Sequence, residues 1–421
     1  MRPTDSQRKN APGDPDQRTV ALVEWNRAGH HQTYFTRFAS ALLELGVRVV
    51  PFCPWPEELG GLMAGTPAAG NPQAMARLEP PERCLWPTAG WVRPESLKPL
   101  LCALKHFQAL DRRLARWERT SGVSVDLVFF CCIHDQDFRN FRQARWFFRR
   151  PWAGLYLDSR AIRLPGTANP YNGKPPCPER ILNLPGLHAV CHLDEGILAE
   201  LGGMTNGRPV VWMPDVADNR LPQPDPEEGN LGRKIRDFAG GRKVVGCIGH
   251  LQKTKGLLNL VRAVADPRLQ DVCMVFVGEV NWYPYTAEEQ EEIMVAWEGH
   301  PRIFCHPLRV PDERRLNSAV AACDVIAAAY TDFPNSSNML TKAAAFGKPV
   351  VVNDGHLMGE RVREYQLGLT VPEGDFPALV EALVRLTSGG AGMASRREEF
   401  SEAHSYDRLK LAFEEMLANE M

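Results

Sequence analysis

The amino-acid sequence predicts an α/β protein with two doubly wound domains, and three observations lead to this fold class. The chain has 421 residues, which is more than a single domain of about 100–200 residues usually contains. Short β-branched runs alternate with amphipathic stretches in both halves, a pattern that predicts parallel sheets with helices on both faces. Between the halves, residues 218–232 are rich in proline, acidic residues and asparagine, as is typical of a linker.

The first half has six short apolar runs that we predict to be strands, at residues 20–24, 47–52, 125–133, 153–157, 186–191 and 210–213. Helical spacing predicts helices at residues 35–45, 100–119 and 194–201. Residues 54–99 are rich in proline, glycine and tryptophan and are predicted to be irregular or a long insertion. Residues 1–18 are polar and lack the apolar segment of a secretory signal, so we expect a disordered lead-in.

The second half repeats the alternation. Predicted strands lie at residues 244–248, 272–277, 303–306, 325–328 and 350–353, and predicted helices at 257–264, 288–297, 314–322, 338–346, 376–386 and 406–417. We therefore expect domains at 19–217 and 241–400, a linker at 218–240, and a last helix within 401–421. Two doubly wound domains predict a cleft between them, with ligands at the carboxyl ends of the strands.

Composition excludes several classes of function. The formal net charge of −2 gives no general basic field, so nucleic acid is not expected as a partner. No run of about 18 apolar residues is present, so no membrane span is predicted. The eleven cysteines are scattered and form no C-x-x-C pair, and Cys131, Cys132, Cys247 and Cys273 lie in apolar runs. These are features of reduced, buried thiols and predict a cytoplasmic protein.

Two loops after predicted strands are candidates for binding an anion. Residues 25–32 (WNRAGHHQ) contain Gly29, where a small residue lets the backbone approach a ligand. Residues 249–256 (GHLQKTKG) place Lys253 and Lys255 before a helix, where ammonium groups and amides can hold a diphosphate. Taken alone, the loop at 25–32 is weak evidence for a binding site, and the loop at 249–256 is better explained by lysines exposed to solvent.

Two further positions carry polar groups. Residues 332–338 (DFPNSSN) lead into a predicted helix, and their side chains can bind phosphates or simply cap the helix. His134 directly follows a predicted strand, but a satisfied structural histidine fits that position equally well. His188 and His192 bracket a strand-like segment, where a spacing of four does not converge, so no metal site is predicted.

The order of the motifs resembles that of the retaining GT-B glycosyltransferases of the "glycosyl transferases group 1" family (family 4). Five stretches carry the resemblance, and it extends over most of the chain from Val20 onward. They are VVGCIGHLQKTKG (244–256), MVFVGE (274–279), the segment 321–348 ending in GK, GHLMGE (355–360) and LGLTVPEGD (367–375). None is specific alone, whereas their joint order and spacing are.

The resemblance implies two Rossmann-like domains that face a central cleft, with a final helix that crosses back to the N-terminal domain. It also implies that the C-terminal domain binds a nucleotide sugar. By position, Lys255 corresponds to the lysine that grips the donor diphosphate, Gly29 to the glycine loop near the same phosphates, and His134 to a histidine near the donor sugar. Ser336, Ser337 and Asn338 correspond to a loop whose amides meet the phosphates.

Departures from the family pattern affect the donor site. The family arginine falls on His250, which is mostly neutral at pH 7 and a weaker phosphate clamp. Lys253 could compensate for it. The E-x7-E pair of the family falls on Pro334 and Lys342, so the donor ribose must be contacted differently, and Lys342 could meet a phosphate instead.

The resemblance thus predicts a metal-independent, cofactor-free glycosyltransferase in which His134 and Lys255 are the catalytic candidates. The acceptor, the donor sugar and the oligomeric state are not predicted. A non-catalytic partner subunit or sugar-nucleotide sensor is one alternative, because of Pro334 and Lys342, and a GT-B-type epimerase or phosphorylase is another. The segment from Arg139 to Trp152, RNFRQARWFFRRPW, is either a helix with aromatics inside or a peripheral contact with an anionic membrane.

Overall fold

A computed structural model describes residues 18–27, 31–86, 97–169, 173–221, 230–389 and 395–418. The chain divides into two compact units. Unit 1 comprises Met1–Pro214 and Ser405–Met421, and unit 2 comprises Asp215–His404. Each unit contains one sheet in which the neighbouring strands pair in parallel.

The sheet of unit 1 has seven strands in the order β3-β2-β1-β4-β5-β6-β7. The chain begins at β1, the third strand of the sheet, adds β2 and β3 on one side, and then reverses direction to add β4 and its successors on the other. Its long strands are continuous apolar runs because helices cover both faces. The strands are β1 (Thr19–Val23), β2 (Arg48–Cys53), β3 (Glu82–Arg83), β4 (Leu127–Ile133), β5 (Trp152–Tyr156), β6 (Leu187–His192) and β7 (Val210–Trp212).

The helices of unit 1 pack on this sheet around an aromatic core. Phe107, Phe138, Phe141 and Phe148 are buried and pack against one another in tilted and edge-on arrangements, with ring centroids of Phe107 and Phe141 4.5 Å apart. These contacts fix the short helices that follow β4. The helices are α1 (His31–Glu44), α2 (Leu59–Met63), α3 (Pro72–Met75), α4 (Lys98–Ser121), α5 (Asp135–Phe138), α6 (Phe141–Ala144), α7 (Arg160–Arg163), α8 (Glu179–Leu182) and α9 (Leu198–Gly202).

The sheet of unit 2 has six strands in the order β10-β9-β8-β11-β12-β13. It also grows from its first strand in both directions, so its order reverses between β8 and β11. The strands are β8 (Lys243–Ile248), β9 (Val272–Val277), β10 (Ile303–His306), β11 (Val325–Ala328), β12 (Val350–Asn353) and β13 (Gly368–Val371).

Eight helices are described in unit 2, and the first of them differs from the prediction. Residues 231–239, which the sequence analysis placed in the linker, form a helix capped by Asn230 that buries Leu231 and Ile235. The helices are α10 (Leu231–Ala239), α11 (Leu257–Ala263), α12 (Ala287–Gly299), α13 (Glu313–Ala322), α14 (Asn338–Ala345), α15 (His356–Tyr365), α16 (Phe376–Thr387) and α17 (Arg397–Ala403). In the described part of the chain, no helix is both long enough and apolar enough to span a membrane.

The last helix, α18 (Tyr406–Ala418), belongs to unit 1 although it follows unit 2 in the chain. The Phe413 ring packs between Phe38 of α1 and Phe129 of β4, with centroid distances of 5.4 and 5.3 Å. The Tyr406 hydroxyl donates to Ser40 Oγ at 2.7 Å. The final helix therefore completes the core of the first unit, which confirms the prediction that it crosses back to the N-terminal domain. Residues 1–17 of the lead-in predicted at 1–18 lie outside the described residues.

His106 is a buried titratable side chain that should make unit 1 sensitive to acid. His106 is buried beside the rings of Trp25 and Trp86, and burial lowers the pKa of His106 from 6.5 to about 3. Between these values the unfolded chain binds a proton that the folded chain does not, so stability falls as the pH drops below 6.5. Between about pH 7 and pH 5, we expect the free energy of unfolding to fall by about 2 kcal/mol more in the wild type than in His106→Gln.

Urea unfolding of both proteins at the two pH values measures this difference. Other buried histidines act equally in both proteins and cancel. Equal losses of unfolding free energy in the wild type and in His106→Gln would contradict a neutral His106 in the folded state.

Candidate functional site

In unit 2, two glycines bring the carboxyl ends of β8 and β9 into close contact. Gly278 has a φ of +130°, and a Cβ there would lie 2.0 Å from the carbonyl oxygen of Gly249. Gly249 has a φ of +104°, and a Cβ there would lie 3.1 Å from Nζ of Lys255. Only glycine permits this approach, and the absence of side chains leaves backbone beside a lysine ammonium.

Lys255 lies where the strand order of unit 2 reverses. It ends the short 3-10 turn Lys253–Lys255 after β8, and Gly256 in the left-handed conformation leads on into α11. Its ammonium lies 5.1 Å from the ring centroid of Tyr330, which follows β11, within cation–π range. The Thr331 N–H donates to the Thr254 carbonyl at 2.7 Å. The loops after β8 and β11 are thus joined around a half-buried ammonium.

His250 and Lys253, the other basic side chains of this loop, lie in different surroundings. His250 is exposed, and its pKa lies below the usual 6.5 because partial desolvation and the charge of Lys255 disfavour the imidazolium. Lys253 pairs with Glu289, with 2.6 Å between Nζ and Oε2, and lies 5.7 Å from the Tyr285 ring. The ammonium of Lys253 is therefore held against α12, whereas that of Lys255 lies beside Gly249.

The predicted serine and asparagine loop leads into α14. Ser337 caps this helix, and its hydroxyl accepts from the Met339 N–H at 3.4 Å, while Asn338 is the first helical residue. Ser336 Oγ donates to Asp215 Oδ2 at 2.6 Å and accepts from Arg361 at 2.7 Å. The hydroxyl of Ser336 thus belongs to a network within unit 2, and what the loop offers a ligand is the amino end of α14.

The surroundings of Lys342 contradict the prediction that its ammonium meets a phosphate. The residue is 1% exposed, and its ammonium donates to the Asp218 carbonyl at 2.8 Å, to Glu313 Oε2 at 2.7 Å and to Asn317 Oδ1 at 2.5 Å. All three protons of the ammonium have acceptors within unit 2. Lys342 therefore anchors the first segment of the unit to α13 and α14.

In unit 1, a buried carboxylate follows β1. Glu24 is 2% exposed; its Oε1 accepts from the N–H groups of Trp25 and Asn26, each at 2.8 Å, and its Oε2 from His31 Nδ1 at 2.8 Å. The turn after β1 therefore wraps around one carboxylate and fixes the imidazole at the start of α1. Gly29, which was predicted to approach the donor phosphates, lies outside the described residues.

The end of β4 lies next to this carboxylate, since β1 and β4 are paired neighbours. Cys132 is buried near the end of β4, and His134 occupies the N-cap position of α5. The rings of His31 and His134 have centroids 5.4 Å apart. Burial lowers the pKa of His134 from 6.5 to about 4 and raises the pKa of the Cys132 thiol, so that both side chains are neutral at pH 7.

Two aspartates complete the edge of this sheet. Asp135 accepts from the Cys177 N–H at 2.9 Å and from the Tyr156 hydroxyl at 3.3 Å, and Asp137 from Trp25 Nε1 at 3.1 Å. Burial raises the pKa of each carboxyl to about 6. These aspartates, Glu24 and Cys132 were not among the predicted site residues. The signal for the aspartates was a polar HDQD directly after a wholly buried strand.

Comparison with known proteins supports the fold, and part of the chain matches a family model. Residues 242–388, within unit 2, match the family model "Glycosyl transferases group 1". No curated protein matches the sequence significantly.

Solved structures of similar fold cover nearly the whole chain. HepE of Anabaena, in complex with UDP and glucose, has a TM-score of 0.64 and 15% identity over 96% of this chain and 99% of that chain. Sucrose-phosphate synthase of Thermosynechococcus elongatus has a TM-score of 0.66 and 16% identity over 95% and 98%. A UDP-forming trehalose-phosphate synthase of Burkholderia xenovorans has a TM-score of 0.59 and 12% identity over 96% and 99%. The chain therefore has the GT-B fold of these enzymes.

The role of Lys342 can be tested through stability. In Lys342→Met the buried Asn317 Oδ1 loses the Lys342 donor, the Asp218 carbonyl loses one of its two donors and keeps the Asn317 amide, and Glu313 loses its counter-charge. We expect a loss of about 3 kcal/mol in the free energy of unfolding, as for other buried pairs with one partner removed. Lys243→Met is the matched control, because the Lys243 side chain is 56% exposed and its Nζ makes no closer approach to Asp324 Oδ1 than 4.0 Å. Equal stability of the two variants would contradict the anchoring role.

Proposed function

We propose that this protein is a glycosyltransferase that moves a sugar from a nucleotide-diphosphate sugar, with the donor bound by unit 2. One observation carries the proposal. The Lys255 ammonium lies beside the glycine backbone after β8 and the tyrosine after β11, where the strand order reverses. In doubly wound folds this is the place where ligands bind, and it lies within the segment 242–388 that matches the group 1 glycosyltransferases.

The chemistry of the transfer requires a good leaving group. When the bond between the sugar C1 and the diphosphate oxygen breaks, negative charge grows on the nucleoside diphosphate. A preorganised ammonium and helix N–H groups stabilise such a charge without reorganisation. In our proposal Lys255 supplies the ammonium, and the amino end of α14 supplies N–H groups and its positive dipole end. We propose transfer with retention, as the motif resemblance implies.

The donor site departs from the family pattern in two ways that affect binding. His250 is mostly uncharged at neutral pH, since its pKa is lowered, so Lys255 carries more of the phosphate charge. Lys342 stands where a ribose-binding glutamate is expected and is occupied by protein acceptors. The ribose contact must then come from other groups. UDP-sugars are the first donors to test, because HepE of Anabaena was solved with UDP and with UDP-glucose.

His134 is our candidate for contact with the donor sugar. It follows the end of β4 at the strand reversal of unit 1, and it is neutral at pH 7 because its pKa is about 4. A neutral imidazole donates one hydrogen bond and accepts another, which suits recognition of a sugar hydroxyl.

The two lysines of the β8 loop provide a matched test of donor binding. We expect Lys255→Ala to weaken UDP binding by about 10- to 100-fold, since one charge-assisted hydrogen bond contributes about 1.5–3 kcal/mol. Lys253→Ala should weaken it by less than about threefold, because that ammonium is paired with Glu289. Isothermal titration calorimetry with UDP, GDP, ADP and UDP-glucose measures these affinities.

Three outcomes separate the possibilities. Binding of one nucleotide that is lost only in Lys255→Ala supports the donor site and identifies its base. Binding without release of nucleotide from any sugar donor favours the non-catalytic sensor or partner subunit. No binding of any nucleotide sugar overturns the proposed donor site.

A second surface supports contact with a membrane. Within the segment from Arg139 to Trp152, Phe141, Phe148 and Trp152 are buried, as expected of a packed segment. Trp146 and Phe147, however, are 80% and 46% exposed. Exposed Arg142 and Arg149 lie on either side of them in sequence. Exposed aromatics among arginines suit the interface of an anionic membrane, and we propose that this patch makes a peripheral contact there.

Vesicle flotation tests the patch. The wild type should float with vesicles of anionic lipid and not with neutral ones, and the Trp146→Ser/Phe147→Ser double variant should lose most of that recovery. Tyr283→Ser is the control, because Tyr283 is 95% exposed in unit 2. No flotation of the wild type, or equal loss in the control, would contradict the proposal.

A further inference from the structure

Three side chains of the types that bind transition metals converge in unit 1, and one of them, His134, is also the candidate for contact with the donor sugar. His31, Cys132 and His134 each offer one ligand atom, and these atoms all lie within 4.8 Å of one another. Among the described residues, they form the one group of at least three histidine, cysteine, aspartate or glutamate residues that does so. His31 begins α1, Cys132 lies near the end of β4, and His134 follows it.

The fold brings these residues together from distant parts of the chain. Strands β1 and β4 are hydrogen-bonded neighbours, with Val23 opposite Phe130, so their carboxyl ends lie side by side. The chain leaves β1 through the turn around Glu24 and enters α1 at His31. The sheet therefore holds Cys132 and His134 on one side of this reversal point and His31 on the other.

A buried carboxylate orients one of the three. Glu24 accepts the Nδ1–H of His31 at 2.8 Å, and two backbone N–H groups fix its other oxygen. In metal sites a ligating histidine commonly donates its second nitrogen to a carboxylate, which fixes the tautomer and makes the ligand nitrogen more basic. With Nδ1 on Glu24, the imidazole of His31 would bind an ion through Nε2.

We propose that His31, Cys132 and His134 form a site for a divalent transition-metal ion of the zinc type, with Glu24 as a positioning residue. Two imidazoles and one thiolate are a ligand set that zinc prefers, whereas magnesium and calcium prefer oxygen ligands. Three protein ligands leave a fourth tetrahedral position for water or a substrate oxygen. Binding converts the Cys132 thiol to a thiolate and releases its proton to solvent.

The site goes beyond the proposed sugar transfer, with which it shares His134, and the two proposals are tested separately. Donor binding is tested through Lys255 and UDP in unit 2, and the metal site through ion binding in unit 1. A protein that binds UDP but no metal fails this inference alone, and one that binds metal but no UDP fails the proposed function alone. A hydrogen-bonded cluster with only a structural role binds no ion.

Cobalt substitution gives a readout that is independent of activity. The full-length, metal-stripped protein is titrated with Co²⁺ and followed by absorption spectroscopy. We expect about one equivalent to bind with visible bands of tetrahedral Co²⁺ and a thiolate-to-cobalt charge-transfer band, and Zn²⁺ to displace it. Mass spectrometry of the native protein with Zn²⁺ should show the same stoichiometry.

Adjacent cysteines supply the matched pair of variants. Cys132→Ala should lose the charge-transfer band, whereas Cys131→Ala should keep it, because Cys131 is equally buried and is not in the group. Glu24→Gln should keep the band but weaken binding by about 10- to 100-fold, as expected for the loss of a carboxylate behind a ligating histidine. Circular dichroism shows whether each variant is folded.

His134→Gln is a second ligand variant for the case that Cys132→Ala does not fold, since His134 is only partly buried. Loss of tetrahedral Co²⁺ binding in that variant would support the site. The proposal is overturned if the wild type gives no charge-transfer band, or if the band persists in folded Cys132→Ala. It is also overturned if folded Cys131→Ala loses the band to the same extent.

Discussion

Both units of this protein depend on one topological constraint, the reversal of strand order in a parallel sheet. Strands added on opposite sides of β1, or of β8, send their following loops apart and leave a crevice at the carboxyl edge. In unit 2 that crevice holds Lys255 between Gly249 and Tyr330. In unit 1 it holds Glu24 and the end of β4. Apolar strands supply the stability, and the two reversals determine where polar groups can meet.

The same constraint explains how much of the fold could be predicted. Central strands such as β4 are buried on both faces, so they are long apolar runs and were recognised from sequence. Strand β13 has only four residues and includes a glycine, and β3 has two exposed or half-buried residues, so neither carries a hydrophobic signal. Helix α10 was missed because it is short and its Asn230 cap follows an acidic, proline-rich stretch that masks its periodicity.

The sequence could predict where a residue lies along the chain but not the direction of its side chain. The place of Lys255 after β8 was predicted because a motif fixes it, and the structure puts its ammonium beside a glycine backbone. Lys342 was placed among the donor-binding residues, but it lies on the face of α14 that points into unit 2. Sequence gave no reason to join His31 to Cys132, since only the pairing of β1 with β4 brings them together.

Two buried ionic groups of this protein differ in a way that bears on function. The ammonium of Lys342 donates its three hydrogen bonds to three acceptors within unit 2, and such a network anchors a segment. Glu24 is also buried and hydrogen-bonded through both oxygens, but it holds His31, whose ring packs edge-on against that of His134 near Cys132. Burying a carboxylate under an apolar sheet costs stability that an aliphatic side chain would not. A fold selected for stability alone has no need of Glu24, whereas a site that must orient an imidazole does.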